Sequence, residues 1–576
     1  GNSYEKILQR YCGGVIGDGF ACWLLWRTDD GTTTAQSSPQ ETQIDVSELE
    51  EEHQAFATGG SSAEANIVMQ NAINMIGYTT EANGKGADKD TVRFISIIEP
   101  TTLEPGGTSS GDDYYRVVAT NLYETLVREA PTDRTVLQPM LAEEWEIAPD
   151  GLSVDFTIKS GVKFHNGTEM TTEDVAYSLN RAINLATNVD LTGMMDRAEA
   201  VDDSHVVLYL KYPYKPVVNI LTNPNFAILS KAYVEQCEAD GTNLGRNPMG
   251  TGAYQFVSWT NGANITMKAF DQWNGGDVAI ENLIFVFISD STTAGIALES
   301  GDAQLFYGAD SADLPRMIQN PDVNVMSVQS SGFYFLTLNT EDEVLSDERV
   351  RKAIQMAINR QEVIDGGQDG LGWIAPVPIT PGIIGYPDEF VADPQDVEGA
   401  KALLAEAGYS DGLTIQLDCP EYNHYSRPVQ VVQEQLRRIG INAELNIMEK
   451  GAFDTDLSNR NYQIAYTWIG ASYPDADCIV YKLFHSDYAN TTGQTNLANV
   501  VNDEADRLVE EARQSLDDDE REALYLQLCE LNQEHAWYIP ILQSTNTVVA
   551  SAELGGVTGN SGSFYYVSDY TYQPES

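Results

Sequence analysis

The sequence predicts an α/β protein built in more than one lobe, and three observations carry that expectation. Its 576 residues exceed what one hydrophobic core usually serves. Strand-like and helix-like apolar periods alternate from about residue 91 to the end, without repeats. Residues 413–448 spell out one strand–helix–strand unit. There "LTIQL" reads as a strand, and "SRPVQVVQEQLRRIG" puts Val429, Val432, Leu436 and Ile439 on one helical stripe, with Gly440 as its stop. "INAELNIM" is a strand again, so the unit implies parallel strands joined by a right-handed crossover.

In chain order, residues 1–88 are mostly polar, with one helix-like island at "AEANIVMQNAINMIGY". Lys6 and Arg10 precede a short apolar patch around Cys22, which resembles a degraded export signal with a lipid-acceptor cysteine. Residues 1–30 are therefore expected to be a signal or anchor region. Residues 31–88, rich in Thr, Ser, Gln and Asp at their start, are expected to be a flexible tether. "TVRFISIIEP" from Thr91 opens the folded body as a strand. Val154, Phe156 and Ile158 alternate with polar neighbours, as a half-buried strand requires. Ser160-Gly161 and Asn166-Gly167 are turn signals. Thr171 stands three residues before Asp174 as a capping box, opening a helix with Val175, Leu179 and Ala182 on its apolar stripe. His165 has no second ligand or base in its segment and reads as structural. Further on, "ADRLVEEARQSL" and "DDEREALYLQLCELNQE" are amphipathic helices, and "WYIPIL" is a strand.

Composition excludes whole classes of function. Lys and Arg number 33 against 86 Asp and Glu, a formal charge of −53, so no nucleic-acid partner is expected. The acids are spread along the chain, as on a solvated, salt-exposed surface. The six cysteines show no C-x-x-C spacing, which argues against a zinc or redox motif. The six histidines are unclustered, which argues against direct ligation of a bare transition metal. Gly107–Gly111 matches G-x-S-x-G, but a loop broken by Pro and Gly precedes it where a nucleophile elbow needs a strand. No Walker loop, dinucleotide-binding glycine fingerprint or H-E-x-x-H appears. No enzyme activity and no cofactor are expected.

Several blocks, in one order, resemble the extracellular solute-binding proteins of family 5, the oligopeptide- and dipeptide-binding receptors of ABC importers. They are residues 141–179, "NPMGTGAYQFVSW" (247–259), "WNGGDVAIENLIFVFISD" (273–290), "ALESGDAQL" (297–305), "LNTEDEVLSDERVRKAIQMAINR" (338–360), "GAKALLAEAGY" (399–409) and "WIGASYPDAD" (468–477). The resemblance covers about residues 90–576. It implies a two-lobed periplasmic-binding-protein type II fold, a Venus flytrap, with an extra subdomain in lobe I. Lobe I would span 89–287, lobe II 288–537, and 538–576 would return to lobe I. The implied partners are a peptide ligand and the transmembrane subunits of a permease. The implied place is the extracellular face of the cell membrane or the periplasm, with membrane attachment through the lipid anchor only. The same fold binding an oligosaccharide or a metal chelate, or serving as a surface chaperone or sensor, is the alternative.

The resemblance also implies a ligand site. Trp468, Ile469 and Gly470 would lie beside the peptide and pair with its backbone. Ser110, Gly111 and Asp112, in the "GGTSSGDD" loop, would meet the ligand from lobe I, and Tyr307 falls near the same cleft. Relatives place an acid for the peptide's ammonium where this chain has Ser472. Asp475 is the first expected substitute, with Asp477, Asp112 and Asp113 behind it.

Overall fold

The computed structural model describes residues 79–107, 113–310, 312–489, 496–543 and 545–574. All of them fall in one compact unit, Ser61–Ser576. Two large mixed sheets organise it, as the α/β expectation requires. The first runs, in spatial order, Val323–Gln329, Thr545–Ser551, Leu305–Tyr307, Thr91–Ser96, Asn282–Phe287, Asn264–Ala269 and Tyr254–Thr260. Thr91–Ser96 is parallel to both of its neighbours, which puts Ser96 level with Phe287 on one side and Tyr307 on the other. The second runs Trp373–Ile374, Tyr538–Gln543, Gly332–Leu338, Ile464–Gly470, Leu413–Pro420 and Ile441–Met448.

The 413–448 unit folds as its periodicity predicts. Leu413–Pro420 and Ile441–Met448 pair in parallel, Leu413 against Ile441 through Pro420 against Met448. The helix Asn423–Arg438 between them buries Val429, Val432 and Leu436, and Gly440 follows at φ +91°, where only glycine is unstrained. The capping box also forms: Thr171 Oγ1 accepts from the Asp174 amide, and Asp174 Oδ2 accepts from the Thr171 amide.

Between Leu122 and Tyr254 the chain leaves the first sheet and builds the added subdomain. Its antiparallel sheet runs Ala142–Ile147, Ser153–Ile158, His205–Leu210 and Met195–Ala200, beside a separate hairpin of Val127–Ala130 and Asp133–Pro139. The subdomain does not stand apart. Tyr214, Val217, Ile220 and Leu221 share one apolar cluster with Phe333, Phe335, Ile479 and Leu483 of the second lobe.

Three expected boundaries move. Lobe I does not end at 287, because Leu305–Tyr307 and Val323–Gln329 both belong to the first sheet. The first crossing is the pair Ser330–Ser331. Tyr538–Gln543 is not the return strand, since it pairs antiparallel with Gly332–Leu338 in the second sheet. The return falls between Gln543 and Thr545. The body also begins before residue 89, for the Thr80 amide donates to the Val557 carbonyl at 2.9 Å and the Thr80 hydroxyl to Leu554 at 2.7 Å. Among the described residues no helix is long and apolar enough to cross a membrane. The expected signal and anchor region 1–30, with Cys22, lies outside the described residues, as do Ser110, Gly111 and Asp112.

Candidate functional site

The two crossings set the site, because whatever lies at the strand ends beside them faces the junction of the lobes. In the second sheet, Ile464–Thr467 is buried, while Trp468 emerges 36% exposed and Ile469 and Gly470 are partly exposed. Trp468 stands opposite Tyr334, and Gly470 opposite Gly332. Both glycines are needed there. A Cβ on either would collide with the Trp468 indole, so the ring lies over two residues that have no side chain. Gly332 carries no signal of its own in the sequence, since its role appears only through its pairing with Gly470.

The Ile464–Gly470 strand also has an open edge. On its Gly332–Leu338 side every residue is paired. On the other side, Leu413–Pro420 meets it only at Leu417 with Ile464 and Asp418 with Ala465. Cys419 and Pro420 continue alongside Ile447 and Met448 instead, and proline has no N–H to donate. The backbone of Tyr466–Gly470 therefore has a strand neighbour on one side alone among the described residues.

Beyond Gly470 the chain is pinned to the crossing. The Ala471 amide donates to the Ser331 carbonyl at 2.7 Å, and Thr380 Oγ1 donates to that carbonyl at 3.2 Å. Ser472 engages through its backbone, its carbonyl accepting from Asn223 Nδ2 at 3.4 Å. Next comes a buried polar cluster. The Tyr214 hydroxyl, from the subdomain, donates to Asp477 Oδ2 at 2.6 Å and lies 2.8 Å from the Tyr473 hydroxyl. Arg513 clamps the same Asp477 carboxylate at 2.9–3.2 Å and lies over the Tyr481 ring. Arg513 and the Tyr214 hydroxyl hold the Asp477 carboxyl below its usual range, although burial, the largest influence, pushes the other way.

Asp475 is not free to hold an ammonium. Both its oxygens take Arg521, at 2.6 and 2.7 Å, and Oδ1 also accepts from the Asp477 amide. This corrects the expectation for Asp475. The sequence gives no sign of the pair, because its partner comes from a helix 46 residues further on. Tyr307 is likewise a core residue. It is 5% exposed, its hydroxyl lies 2.9 Å from Ser563 Oγ, and its ring is 5.4 Å from Tyr114. Burial first, then the Asp113 charge, pushes its phenol well above the usual value. Tyr307 thus underlies the start of the helix Asp113–Leu122 rather than facing a ligand.

His165 serves the frame. Its Nδ1 accepts from the Gly250 amide at 3.3 Å, so Nε2 carries the proton and donates to the Gly252 carbonyl at 2.9 Å. Gly250 and Gly252 press against the carbonyl of Leu122, where a Cβ would collide. Burial lowers the His165 pKa to about 4, and the bond to Gly252 only partly offsets it. Among the described residues no group of three or more His, Cys, Asp or Glu is placed to hold a metal ion.

Comparison with known proteins gives one consistent result. The model of the bacterial extracellular solute-binding proteins, family 5 middle region, matches residues 136–491. The chain is 27% identical over 468 residues to the glutathione-binding protein GsiB of Salmonella typhi, covering 79% of this chain and 89% of that protein. It is 27% identical over 512 residues to the dipeptide-binding protein of Escherichia coli K12, covering 84% and 94%. In structure it is similar to the periplasmic binding protein DppA of Helicobacter pylori in complex with the peptide STSA. The TM-score is 0.73 at 25% identity, covering 84% of this chain and 98% of that one.

Proposed function

Because the chain belongs to the bacterial extracellular solute-binding proteins of family 5, we propose that it is the substrate-binding receptor of an ABC importer. It captures peptides between its lobes and delivers them to the transmembrane subunits of the permease. The observation that carries the peptide reading is the open edge of Tyr466–Gly470, flanked by Trp468. An extended peptide adds to such an edge through main-chain hydrogen bonds, which give affinity without reading side chains. An aromatic wall beside it suits a ligand cleft. The ligand relations of GsiB, of the dipeptide-binding protein and of DppA point the same way.

The two short crossings provide the hinge, and ligand stabilises the closed arrangement through contacts it lacks in the open one. This is binding, not catalysis. The protein works at the extracellular face of the membrane or in the periplasm, held by a lipid on Cys22. Mass spectrometry of what is released from the purified protein by mild denaturation tests the ligand class. Peptides of mixed sequence are expected; a single glycan or metal chelate in their place overturns the peptide reading.

A further inference from the structure

The hairpin Val127–Ala130 and Asp133–Pro139 turns one arginine inward. Asp133 and Thr135 are exposed, but Arg134 between them is 5% exposed. Its guanidinium grips Glu129 with two parallel bonds, Nε to Oε2 at 2.7 Å and Nη2 to Oε1 at 3.1 Å. Glu129 is 1% exposed and takes a further bond from Thr222 Oγ1 at 3.3 Å. The one proton of that hydroxyl is shared with the nearer Asn219 carbonyl, at 2.7 Å. Glu129 therefore fixes one edge of the guanidinium and leaves the other available.

That other edge is the feature that needs an explanation. Arg134 Nη1 is buried with no hydrogen-bond partner among the described residues, and so is Asn219 Nδ2. A buried donor left unpaired is costly, most of all on a charged group. The two donors belong to one linked set: Arg134, Glu129, Thr222, Asn219. The set touches both lobes: in the hairpin the Pro131 carbonyl accepts from Asn560 Nδ2 of the first lobe at 2.9 Å, and Asn223, next to Thr222, donates to the Ser472 carbonyl of the second at 3.4 Å. Arg134 and its partners therefore lie where the first lobe, the subdomain and the second lobe meet. Asp113, which opens the helix Asp113–Leu122 of the first lobe, also acts on the Arg134 charge.

Asp113 does not satisfy Nη1, for Arg116 engages it at 3.2 Å. The chemistry that fits is a carboxylate brought by the ligand. A guanidinium anchored on one edge by Glu129 presents preorganised, charge-assisted donors on the other. Asn219 Nδ2, an unpaired donor of the same linked set, supplies the further donor such a group accepts. We propose that Arg134, together with Asn219, binds the carboxylate of the captured peptide, which makes the subdomain part of the ligand site. This rests on the peptide reading above.

The test is one equilibrium dialysis against an equimolar pool of tri- to pentapeptides in free-acid and C-amidated forms, with the retained peptides weighed by mass spectrometry. Removing Arg134 outright strands Glu129 in the core, so the informative variants are Arg134→Lys, which keeps the ion pair but loses the second edge, and Asn219→Ala. Circular dichroism confirms their fold. The wild type is expected to retain free-acid peptides over their amides by about tenfold or more, the scale of one hydrogen bond to a charged group. Both variants are expected to bring that ratio close to one while leaving the amides retained as before. Equal retention of both forms by the wild type overturns the assignment and leaves the peptide reading standing, as does an equal loss of both forms in the variants. A wild type that retains neither form overturns the peptide reading and the carboxylate anchor with it.

Discussion

Asp475 and Arg521 close on each other through two bonds of 2.6 and 2.7 Å, and each side chain is only 1% exposed. The pair ties the segment after the open strand edge to the long helix Asp518–His535. Replacing Asp475 by Asn keeps the shape but strands the Arg521 charge in the interior. The expected loss is about 3–5 kcal/mol of stability, the range for breaking a buried pair from one side. Thermal unfolding measures it. Asp475→Leu combined with Arg521→Met is expected to recover most of that loss, because no buried charge remains. A free peptide and its N-acetylated twin are expected to respond alike to Asp475→Asn; a selective loss for the free amine would return Asp475 to the ligand site.

Tyr214 reaches Asp477 from the subdomain, at 2.6 Å, and Arg513 holds that carboxylate from the other side. Tyr214→Phe removes the one hydroxyl while Arg513 keeps the charge paired. The contact joins the two lobes in the described arrangement, so its loss disfavours closure. Ligand affinity is expected to fall by roughly tenfold, as for one hydrogen bond to a charged group, with secondary structure unchanged. Isothermal titration on both proteins decides it. An unchanged affinity means that the contact survives opening and contributes nothing to the switch.

What is legible in the sequence is whatever repeats within one element. The stripe Val429, Val432, Leu436 and the three-residue spacing of Thr171 and Asp174 are local, and both fold as read. Partners distant in sequence leave no such trace. Leu305–Tyr307 is three residues long, and its membership of the first sheet comes from pairing with Thr91–Ser96 two hundred residues earlier. That is why the sequence points to a first crossing near 287 rather than at Ser330–Ser331. Trp468 stands out as a site residue by resemblance, whereas Gly332 acquires meaning only through Gly470, its partner across a strand pair.

A formal charge of −53 spread over the chain predicts salt dependence. Like charges repel more in the compact state, and screening shortens that repulsion from about 10 Å at 0.1 M to about 3 Å at 1 M salt. Exposed pairs such as Arg507 with Glu504 and Glu511 weaken in the same salt, but each is worth about 1 kcal/mol or less. The unfolding temperature is expected to rise by several degrees from 0.1 to 1 M potassium chloride, a salt chosen to avoid the strong exclusion effect of sulfate. A flat or falling unfolding temperature would show that favourable pairs outweigh the net repulsion.

His165 sets a further dependence, on pH. It holds Gly250 and Gly252 through both ring nitrogens as a neutral imidazole, and burial lowers its pKa to about 4 from an ordinary 6.5. Above pH 6.5 the ring is neutral whether the chain is folded or not, so it contributes no pH dependence there. Between 6.5 and about 4 the unfolded chain takes up a proton that the folded one refuses, and stability falls as pH drops. At 1.36 kcal/mol per unit the loss is at most about 3.4 kcal/mol, less where solvent reaches the partly exposed ring. The 86 carboxylates titrate in the lower part of this window too, so the wild-type curve alone does not isolate the histidine. His165→Asn, whose side chain does not titrate, supplies the reference. It is expected to be less stable than wild type at pH 7.5, because one of the two bonds is lost, and the gap is expected to narrow steadily down to pH 4. Denaturant midpoints at half-unit pH steps measure the gap directly. A constant gap across the window would mean that the folded protein accepts the proton, and that the Gly250 amide does not depend on Nδ1 as its acceptor.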